Sequence, residues 1–269
     1  MVIYMKKAVK DILIIIPAYN EEKTIGRLLE QLENPEISEI ADILVMNDSS
    51  KDDTERLVRE RGHAVVTHIY HMGYGSGLQI GYKYAVKKGY KYLIQMDADG
   101  QHDICNIKKL YERIICADNN GRTPDIVLGS RYMEGSSEYH AGVMKKIAYV
   151  FFRGLIKLFT GKRISDPISG LQILNSRAFT FYSKYANFDD KYPDANMILQ
   201  MLLLGFKVEE IPAVMHYRTE GKSMHSGVIK PIIYMFRMMY SIIAVWMTVK
   251  VYHSSQGDVL PDETVSKNI

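Results

Sequence analysis

The sequence predicts an α/β fold: a mostly parallel sheet with helices on both faces. Two observations predict it. Short apolar runs alternate with amphipathic segments through the first half of the chain, as in repeated strand–helix units. The residues directly after several of these runs are unusually polar, and in such sheets ligands sit at the carboxyl ends of the strands.

The elements follow in order. Ile12–Ile16 is an apolar run closed by Pro17, too short for a signal peptide, and residues 1–10 lack the apolar stretch of one; it reads as a buried strand. Further strands are predicted at Ile43–Met46, Ala64–Ile69, Tyr92–Met96 and Ile126–Leu128. Between them, helices are predicted at Glu22–Leu32, Asp52–Arg61, Leu78–Lys87 and Ile104–Ala117. Past Tyr132 the pattern changes. Val143–Phe159 is amphipathic, Asp194–Leu204 reads as a helix and Val208–Val214 as a last strand. A long apolar segment, Val228–Tyr252, precedes a polar tail, His253 to Ile269, that is expected to be disordered.

Of 269 residues, 47% are apolar and 24% charged, which supports a packed core and argues against disorder. The net charge of +3 is too small to argue for nucleic acid, and no such partner is expected. Cys105 and Cys116 lie eleven residues apart on one predicted helix, too far for a disulfide within it. They are expected to be small buried apolar side chains in a reducing cytoplasm.

Three strand ends bring carboxylates to one edge of the sheet. They are Pro17-Ala18-Tyr19-Asn20-Glu21-Glu22, Asn47-Asp48-Ser49-Ser50 and Asp97-Ala98-Asp99-Gly100-Gln101-His102. A cation, or a ligand bound through one, would relieve the repulsion. Asp97 and Asp99, two apart in an extended segment, point to the same side. Mg2+ or Mn2+ often takes one or two protein carboxylates and completes its shell with water and phosphate oxygens. Gln101 offers a further oxygen. The same segment is also an ordinary turn sequence. Gly73-x-Gly75-x-Gly77-x-x-x-Gly81, read from Gly75, has the spacing of a dinucleotide-binding loop, with Asp97 about twenty residues on. That loop follows the third strand, however, and a second aspartate accompanies the first. The glycines are expected instead to let a helix start close beneath a diphosphate.

These segments, with Lys51-Asp52 and Gly129-Ser130-Arg131-Tyr132, resemble family 2 glycosyltransferases in that order. Asp166-Pro167-Ile168-Ser169-Gly170 and Arg218-x-x-Gly221-x-Ser223 resemble the dolichol-phosphate-mannose-synthase-like branch. The resemblance spans about Asp11 to Ser223. It implies a GT-A fold and transfer from a nucleoside-diphosphate sugar with inversion at the anomeric carbon. It implies that Pro17, Tyr19, Glu21 and Asp48 hold the base and ribose, and that Gly75, Ala98 and Ser223 belong to the donor site. Asp97, Asp99 and Gln101 would bind the metal and diphosphate, and Arg131 and Arg218 would contact phosphates. Asp194 falls where related enzymes place the carboxylate that takes a proton from a hydroxyl acceptor; it also reads as an aspartate favourable to a helix N-terminus. A lipid phosphate acceptor is already an anion and needs no base. The catalytic candidates are therefore Asp194, Asp99 and Arg131.

Two positions depart from the family pattern. Asn47 stands where an aspartate is usual, and Met224-His225 follow Ser223 where a basic residue is usual. Neither the base nor the sugar of the donor is fixed by the sequence.

Two segments bear on the acceptor. In Val143–Phe159, Lys145, Lys146, Arg153 and Lys157 gather on one arc at ~100° per residue, with Ile147, Phe151, Leu155 and Leu158 opposite. That suits anionic headgroups or a polyprenyl phosphate, and equally a helix covering the sheet. In Val228–Tyr252, Lys230, Arg237, Ser241 and Thr248 form one narrow polar stripe, and Tyr234, Tyr240 and Trp246 suit an interface. The segment reaches the ~20 residues that span a bilayer, but a central arginine costs ~2.5–3.5 kcal/mol there. A helix lying in the cytoplasmic leaflet is expected, ahead of a spanning helix in an oligomer and of burial against the catalytic domain.

The expectation is a GT-A domain over residues 1–225, a membrane-associating helix over 226–252 and a polar tail over 253–269. It would act at the cytoplasmic face of the cell membrane on a polyprenyl phosphate, or on a lipid-linked glycan or cell-surface polysaccharide, and a homo-oligomer stays open. A nucleotidyltransferase and a catalytically silent nucleotide-binding scaffold are the other classes left open.

Overall fold

The computed structural model describes residues 10–137, 143–216 and 229–256. Its sheet comprises β1 (Ile12–Ala18), β2 (Ala41–Asn47), β3 (Ala64–Thr67), β4 (Tyr92–Gln95), β5 (Ile126–Ser130), β6 (Gln172–Asn175) and β7 (Val208–Pro212), in the order β3-β2-β1-β4-β6-β5-β7. β3, β2, β1 and β4 run parallel, and so do β5 and β7. β6 lies antiparallel between β4 and β5. The mostly parallel sheet is as expected. β6 was not, because four residues with a polar side chain at each end are too short to show a period.

The described helices are α1 (Ile25–Leu32), α2 (Pro35–Ser38), α3 (Thr54–Glu60), α4 (Tyr74–Lys88), α5 (Cys105–Ile115), α6 (Val143–Thr160), α7 (Ser176–Ser183), α8 (Ala195–Leu203) and α9 (Ile229–Gln256). They cover both faces of the sheet, and the strand period of two decides which side chain goes where. Ile12, Ile14 and Ile16 of β1 pack with α1, α3 and α5 through Leu28, Val58 and Leu110. Leu13 and Ile15 join the other core, with Leu78 and Tyr82 of α4, Phe152 of α6, Phe179 of α7, Met201 of α8 and Met238 of α9. With neither face free, β1 is apolar throughout, as a strand buried on both sides must be. The direction of winding reverses between β1 and β4. A crevice therefore opens at their carboxyl ends.

One expectation needs correcting, and two open readings narrow. Cys105 and Cys116 are exposed, since α5 buries the face of Asn106, Ile107, Leu110 and Ile114 instead. On α6 the buried arc is Ala148, Tyr149, Phe152 and Ile156, so Ile147, Phe151 and Leu158 face outward. Among the described residues no helix is long and apolar enough to cross a membrane, which sets aside the spanning reading of α9. Arg218, Ser223 and most of the polar tail lie outside the described residues, as do the side chains of Lys145 and Lys230.

Candidate active site

The loops after β1 and β2 are stitched together. The Asn20 N–H donates to Ser50 Oγ (3.0 Å), the Lys51 N–H to Asn20 Oδ1 (2.8 Å) and the Glu21 N–H to Thr54 Oγ1 (2.9 Å). Asn20 and Ser49 both take positive φ, at 55° and 61°, which non-glycine residues seldom adopt. This holds Tyr19 on the surface beside Pro17, while Glu21 Oε2 accepts from Thr24 Oγ1 at 2.8 Å. Asn47, the departure from the family pattern, is buried; its amide donates to Glu55 Oε2 and Thr67 Oγ1, both at 3.3 Å, and its oxygen accepts from the Ser50 N–H. An aspartate here would face the Glu55 carboxylate. A neutral amide fits this pocket.

Asp48 pins the next loop. Its Oδ1 accepts from the Met72 N–H (2.7 Å) and meets His68 Nδ1 (2.8 Å); its Oδ2 accepts from the Gly73 N–H (2.8 Å) and lies 2.9 Å from His71 Nδ1. Burial pushes this carboxyl up, but the Met72 N–H, the His68 ring and the Gly73 N–H outweigh it and hold it below its ordinary value. Beside it the rings of His71 and Tyr19 lie 4.2 Å apart, and both residues reach solvent. They form an aromatic edge next to Asp48.

α4 starts at Tyr74, earlier than expected, which places Gly75 and Gly77 in its first turns. Gly75 has no room for a side chain: a Cβ would lie 2.5 Å from the Asp189 carbonyl oxygen. The Ser76 N–H donates to the Asp190 carbonyl at 3.1 Å. Tyr74 donates its hydroxyl to Asp97 Oδ1 (2.9 Å) and accepts from Gln95 Nε2 (2.9 Å). Gln95 Oε1 in turn accepts from the Tyr82 hydroxyl and from Gln172 Nε2. A chain of buried polar groups thus backs Asp97. His102 Nε2 lies 3.5 Å from Asp97 Oδ2, and the Asp97 side chain keeps 35% of its exposure. Burial raises the Asp97 carboxyl, and the His102 ring, the Tyr74 hydroxyl and the Arg131 charge bring it below its ordinary value.

Asp99 turns its Oδ1 to the Gln101 N–H at 3.1 Å. Ala98 lies in the turn that follows β4, and its side chain is 3% exposed and packs with Ile94 and Met96 in the core. Gln101 Nε2 donates to the His216 carbonyl at 3.3 Å, which leaves the amide oxygen as its cation ligand. Among the described residues no group of three or more His, Cys, Asp or Glu is arranged to hold a metal ion by itself. The donor set is two carboxylates and one amide oxygen. It fits a hard divalent cation that draws the rest of its shell from phosphate and water, and it does not fit a zinc cage.

Arg131 is clamped by Asp166. Its Nε and Nη2 each donate to the carboxylate at 2.7 Å, and Nη2 also donates to the Ile168 carbonyl at 3.1 Å. Asp166 is fully buried, so this two-point pair fixes the guanidinium plane. The same segment brings Gly170 against Asp97: a Cβ there would lie 2.4 Å from Asp97 Oδ2.

Asp194 sits at the N-cap position of α8 without capping it. Asn196 Oδ1 takes that role, accepting from the N–H groups of Asp194 and Met197, both at 2.9 Å. The Asp194 carboxylate instead accepts from the Tyr234 hydroxyl at 2.7 Å. Burial, with the charges of Asp97 and Asp189, pushes it up to about 6 against the pull of Tyr234 and Arg131. The segments that carry the expected residues are packed together: Gly170, four residues after the Asp166 that holds Arg131, lies against Asp97, and the Asp189 and Asp190 carbonyls, ahead of Asp194, lie against Gly75 and Ser76. Sequence reasoning missed His68, His71, Tyr74 and Tyr234 as site residues. Tyr74 stood inside the glycine segment and Tyr234 among the aromatic residues that suit an interface, but neither position revealed a partner.

The pattern of the family described as "Glycosyl transferase family 2" matches residues 13–182. An undecaprenyl-phosphate mannosyltransferase of Micrococcus luteus is 27% identical over 228 residues, covering 80% of this chain and 88% of that one. A UDP-N-acetylglucosamine–dolichyl-phosphate N-acetylglucosaminyltransferase of Methanococcus voltae is 28% identical over 192 residues, covering 65% and 73%. The fold is shared with glucosyl-3-phosphoglycerate synthase from Mycobacterium tuberculosis, solved with Mn2+, UDP-glucose and phosphoglyceric acid. The TM-score is 0.62 at 16% identity, over 88% of this chain and 80% of that one. Matched over more than half its length, and with the family's strand-end residues gathered in one crevice, the chain belongs to glycosyl transferase family 2.

Proposed function

We propose that the chain transfers a sugar from a nucleoside-diphosphate sugar to a polyprenyl phosphate at the cytoplasmic face of the membrane, inverting the anomeric carbon. The observation that carries this reading is the packing of the Asp166–Gly170 segment, which holds Arg131, against Asp97, and of the Asp189–Asp190 segment, which leads to Asp194, against Gly75 and Ser76. Tyr19 and His71 offer the base a surface. Asp97 and Asp99, with the Gln101 oxygen, would hold Mg2+ or Mn2+, which when bound offsets charge on the departing diphosphate. An acceptor oxygen attacks the sugar carbon from the face opposite the diphosphate; one C–O bond forms as the other breaks. Arg131, held planar by Asp166, favours an anion in the crevice.

Relatives named for transfer to undecaprenyl and dolichyl phosphates support the lipid phosphate acceptor. Their names carry different sugars, so the sugar is left to experiment. Outward apolar side chains on α6 (Ile147, Val150, Leu158) and α9 (Phe236, Tyr240, Met247) support a membrane surface.

One observation favours a second reading. A carboxyl at about 6 suits a general base near neutral pH, which a hydroxyl acceptor needs and a phosphate does not. Full-length protein, Mn2+, polyprenyl phosphate in vesicles and a panel of UDP- and GDP-sugars test the proposal. The expected result is a lipid-extractable sugar phosphate and a released nucleoside diphosphate from one donor, both lost in Asp99→Ala. Transfer only to hydroxyl acceptors would move the reading to a glycan. Pyrophosphate release from a nucleoside triphosphate, or nucleotide binding without turnover, would overturn glycosyl transfer.

A further inference from the structure

α9 grips the segment that carries Asp194 at three places. Tyr234 donates to Asp194 Oδ2 at 2.7 Å. The Arg237 guanidinium lies 5.8 Å from the centre of the Tyr192 ring and 3.5 Å from its hydroxyl. Ser241 Oγ accepts from Asn196 Nδ2 at 2.8 Å, and that amide also donates to Asp189 Oδ2 at 2.9 Å. Residues 234, 237 and 241 are spaced three and four apart, so one stripe of the helix makes all three contacts. Arg237 and Ser241 belong to the polar stripe evident in the sequence. Ser241 is half-buried against α8, Arg237 reaches the Tyr192 ring from an exposed position, and the apolar side chains of Phe236, Tyr240, Ile243 and Met247 are exposed.

We infer that α9 is a working part of the active site, in which Tyr234 is the residue that positions the Asp194 carboxylate. This rests on the reading of the crevice as a glycosyl-transfer site in which the Asp194 carboxylate acts on the acceptor. Asp194 has no other fixed hold among the contacts described. Asn196 has displaced it as the cap of α8, and Asp97 and Asp189 repel it. The Arg131 charge attracts it but is itself locked to Asp166. The Tyr234 ring is fixed edge-on against Phe152 at 6.2 Å and Tyr192 at 5.7 Å, so its hydroxyl donates from a set direction. The held segment also touches the donor side, through the Asp190 carbonyl on Ser76 and the close approach of Asp189 to Gly75.

The test is steady-state transfer by full-length Tyr234→Phe, Asp194→Asn and the double variant, with thermal melting of each. A lost hydrogen bond to a charged group predicts a fall in kcat on the order of 10- to 100-fold for Tyr234→Phe, with the donor KM unchanged and the melting temperature lowered by only a few degrees. The double variant should be no slower than Asp194→Asn alone, since both act through one carboxylate. Ser241→Ala, which loosens Asn196 without touching the carboxylate, should lower kcat by a smaller factor and serves if Tyr234→Phe does not fold. A Tyr234→Phe or Ser241→Ala protein with wild-type kcat overturns the inference. Losses that multiply in the double variant, or an Asp194→Asn enzyme at wild-type rate, overturn it too. Failure of the wild-type chain to transfer sugar from any donor would strike the functional reading instead, and is seen before any variant is made.

Discussion

Gly170 shows how little freedom surrounds the reacting groups. A Cβ there would fall 2.4 Å from Asp97 Oδ2 and 3.0 Å from its Cγ, inside any contact a carboxylate tolerates. Gly170→Ala should therefore displace Asp97 and lower kcat/KM at least tenfold, or ~1.4 kcal/mol, with the fold retained; steady-state transfer kinetics and circular dichroism check the two in turn. Asp194 makes a second case. Its proton is held more tightly in the folded chain, where the carboxyl titrates at about 6, than in the unfolded chain. Below about pH 4 both states hold the proton, so nothing is lost. As pH rises to about 6 the unfolded state sheds it first and stability falls, and above that the loss is complete. Asp194→Asn removes that loss. In chelator at pH 7 it should stabilise the fold by on the order of 1–3 kcal/mol, a melting rise of several degrees that vanishes below about pH 4. A melting temperature that drops, or a gain that is independent of pH, would show that the carboxyl is not strained. Asp97, Asp99 and Asp194 were legible because acids at strand and helix ends stand out in a sequence. Tyr74, His102 and Tyr234 act through hydrogen bonds to those acids, and a bond between residues 74 and 97, or 234 and 194, leaves no spacing to read.

The elements were legible in type, and their ends were set by side chains that spacing does not reveal. α1 starts at Ile25, later than the pattern suggests, because Glu22 is drawn into the neighbouring loop: its N–H donates to Asp52 Oδ2 and its Oε2 accepts from the Asp53 N–H. α4 starts earlier because glycine makes a poor helix interior but fits where the Asp189 and Asp190 carbonyls press on the first turn. The long apolar segment was legible as a helix with one polar stripe, but not in which direction that stripe faced. Of its described side chains only Ser241 is half-buried against the protein; Arg237 and Thr248 stay exposed, and Met238, Ile242 and Val249 form the buried side. Phe236, Tyr240, Ile243 and Met247 then form the outer side, at 64%, 75%, 40% and 53% exposure. The paired variant Phe236→Glu with Tyr240→Glu should abolish flotation with anionic vesicles and leave the melting temperature within about one degree, because neither side chain is packed. Unchanged flotation would place the membrane contact elsewhere or remove it.

At the scale of the molecule, the winding of the sheet decides what the chain can bind. Two helix-covered cores meet at β1, and the reversal between β1 and β4 opens the crevice that receives Tyr19, Asp48 and Asp97 from three separate strand ends. Alternation of apolar runs made this half readable, since β1, β2 and β4 are buried on both sides and only the edge strand β3 is not. The second half was harder to read, because β6 runs antiparallel and is only four residues long. Ligand binding at that crevice joins segments far apart in sequence and so should stabilise the whole fold. A nucleoside diphosphate at a hundred times its dissociation constant adds ~2.7 kcal/mol, and at ~2–4 °C per kcal/mol the melting temperature should rise by about 5–10 °C. The rise should need Mn2+ and disappear in Asp99→Ala, since phosphate oxygens reach the carboxylate edge only through a cation. A shift of the same size without metal would mean that the loops after β1 and β2 hold the nucleotide alone. Asp97 and Asp99 would then bind the cation with the departing diphosphate and not with the resting donor.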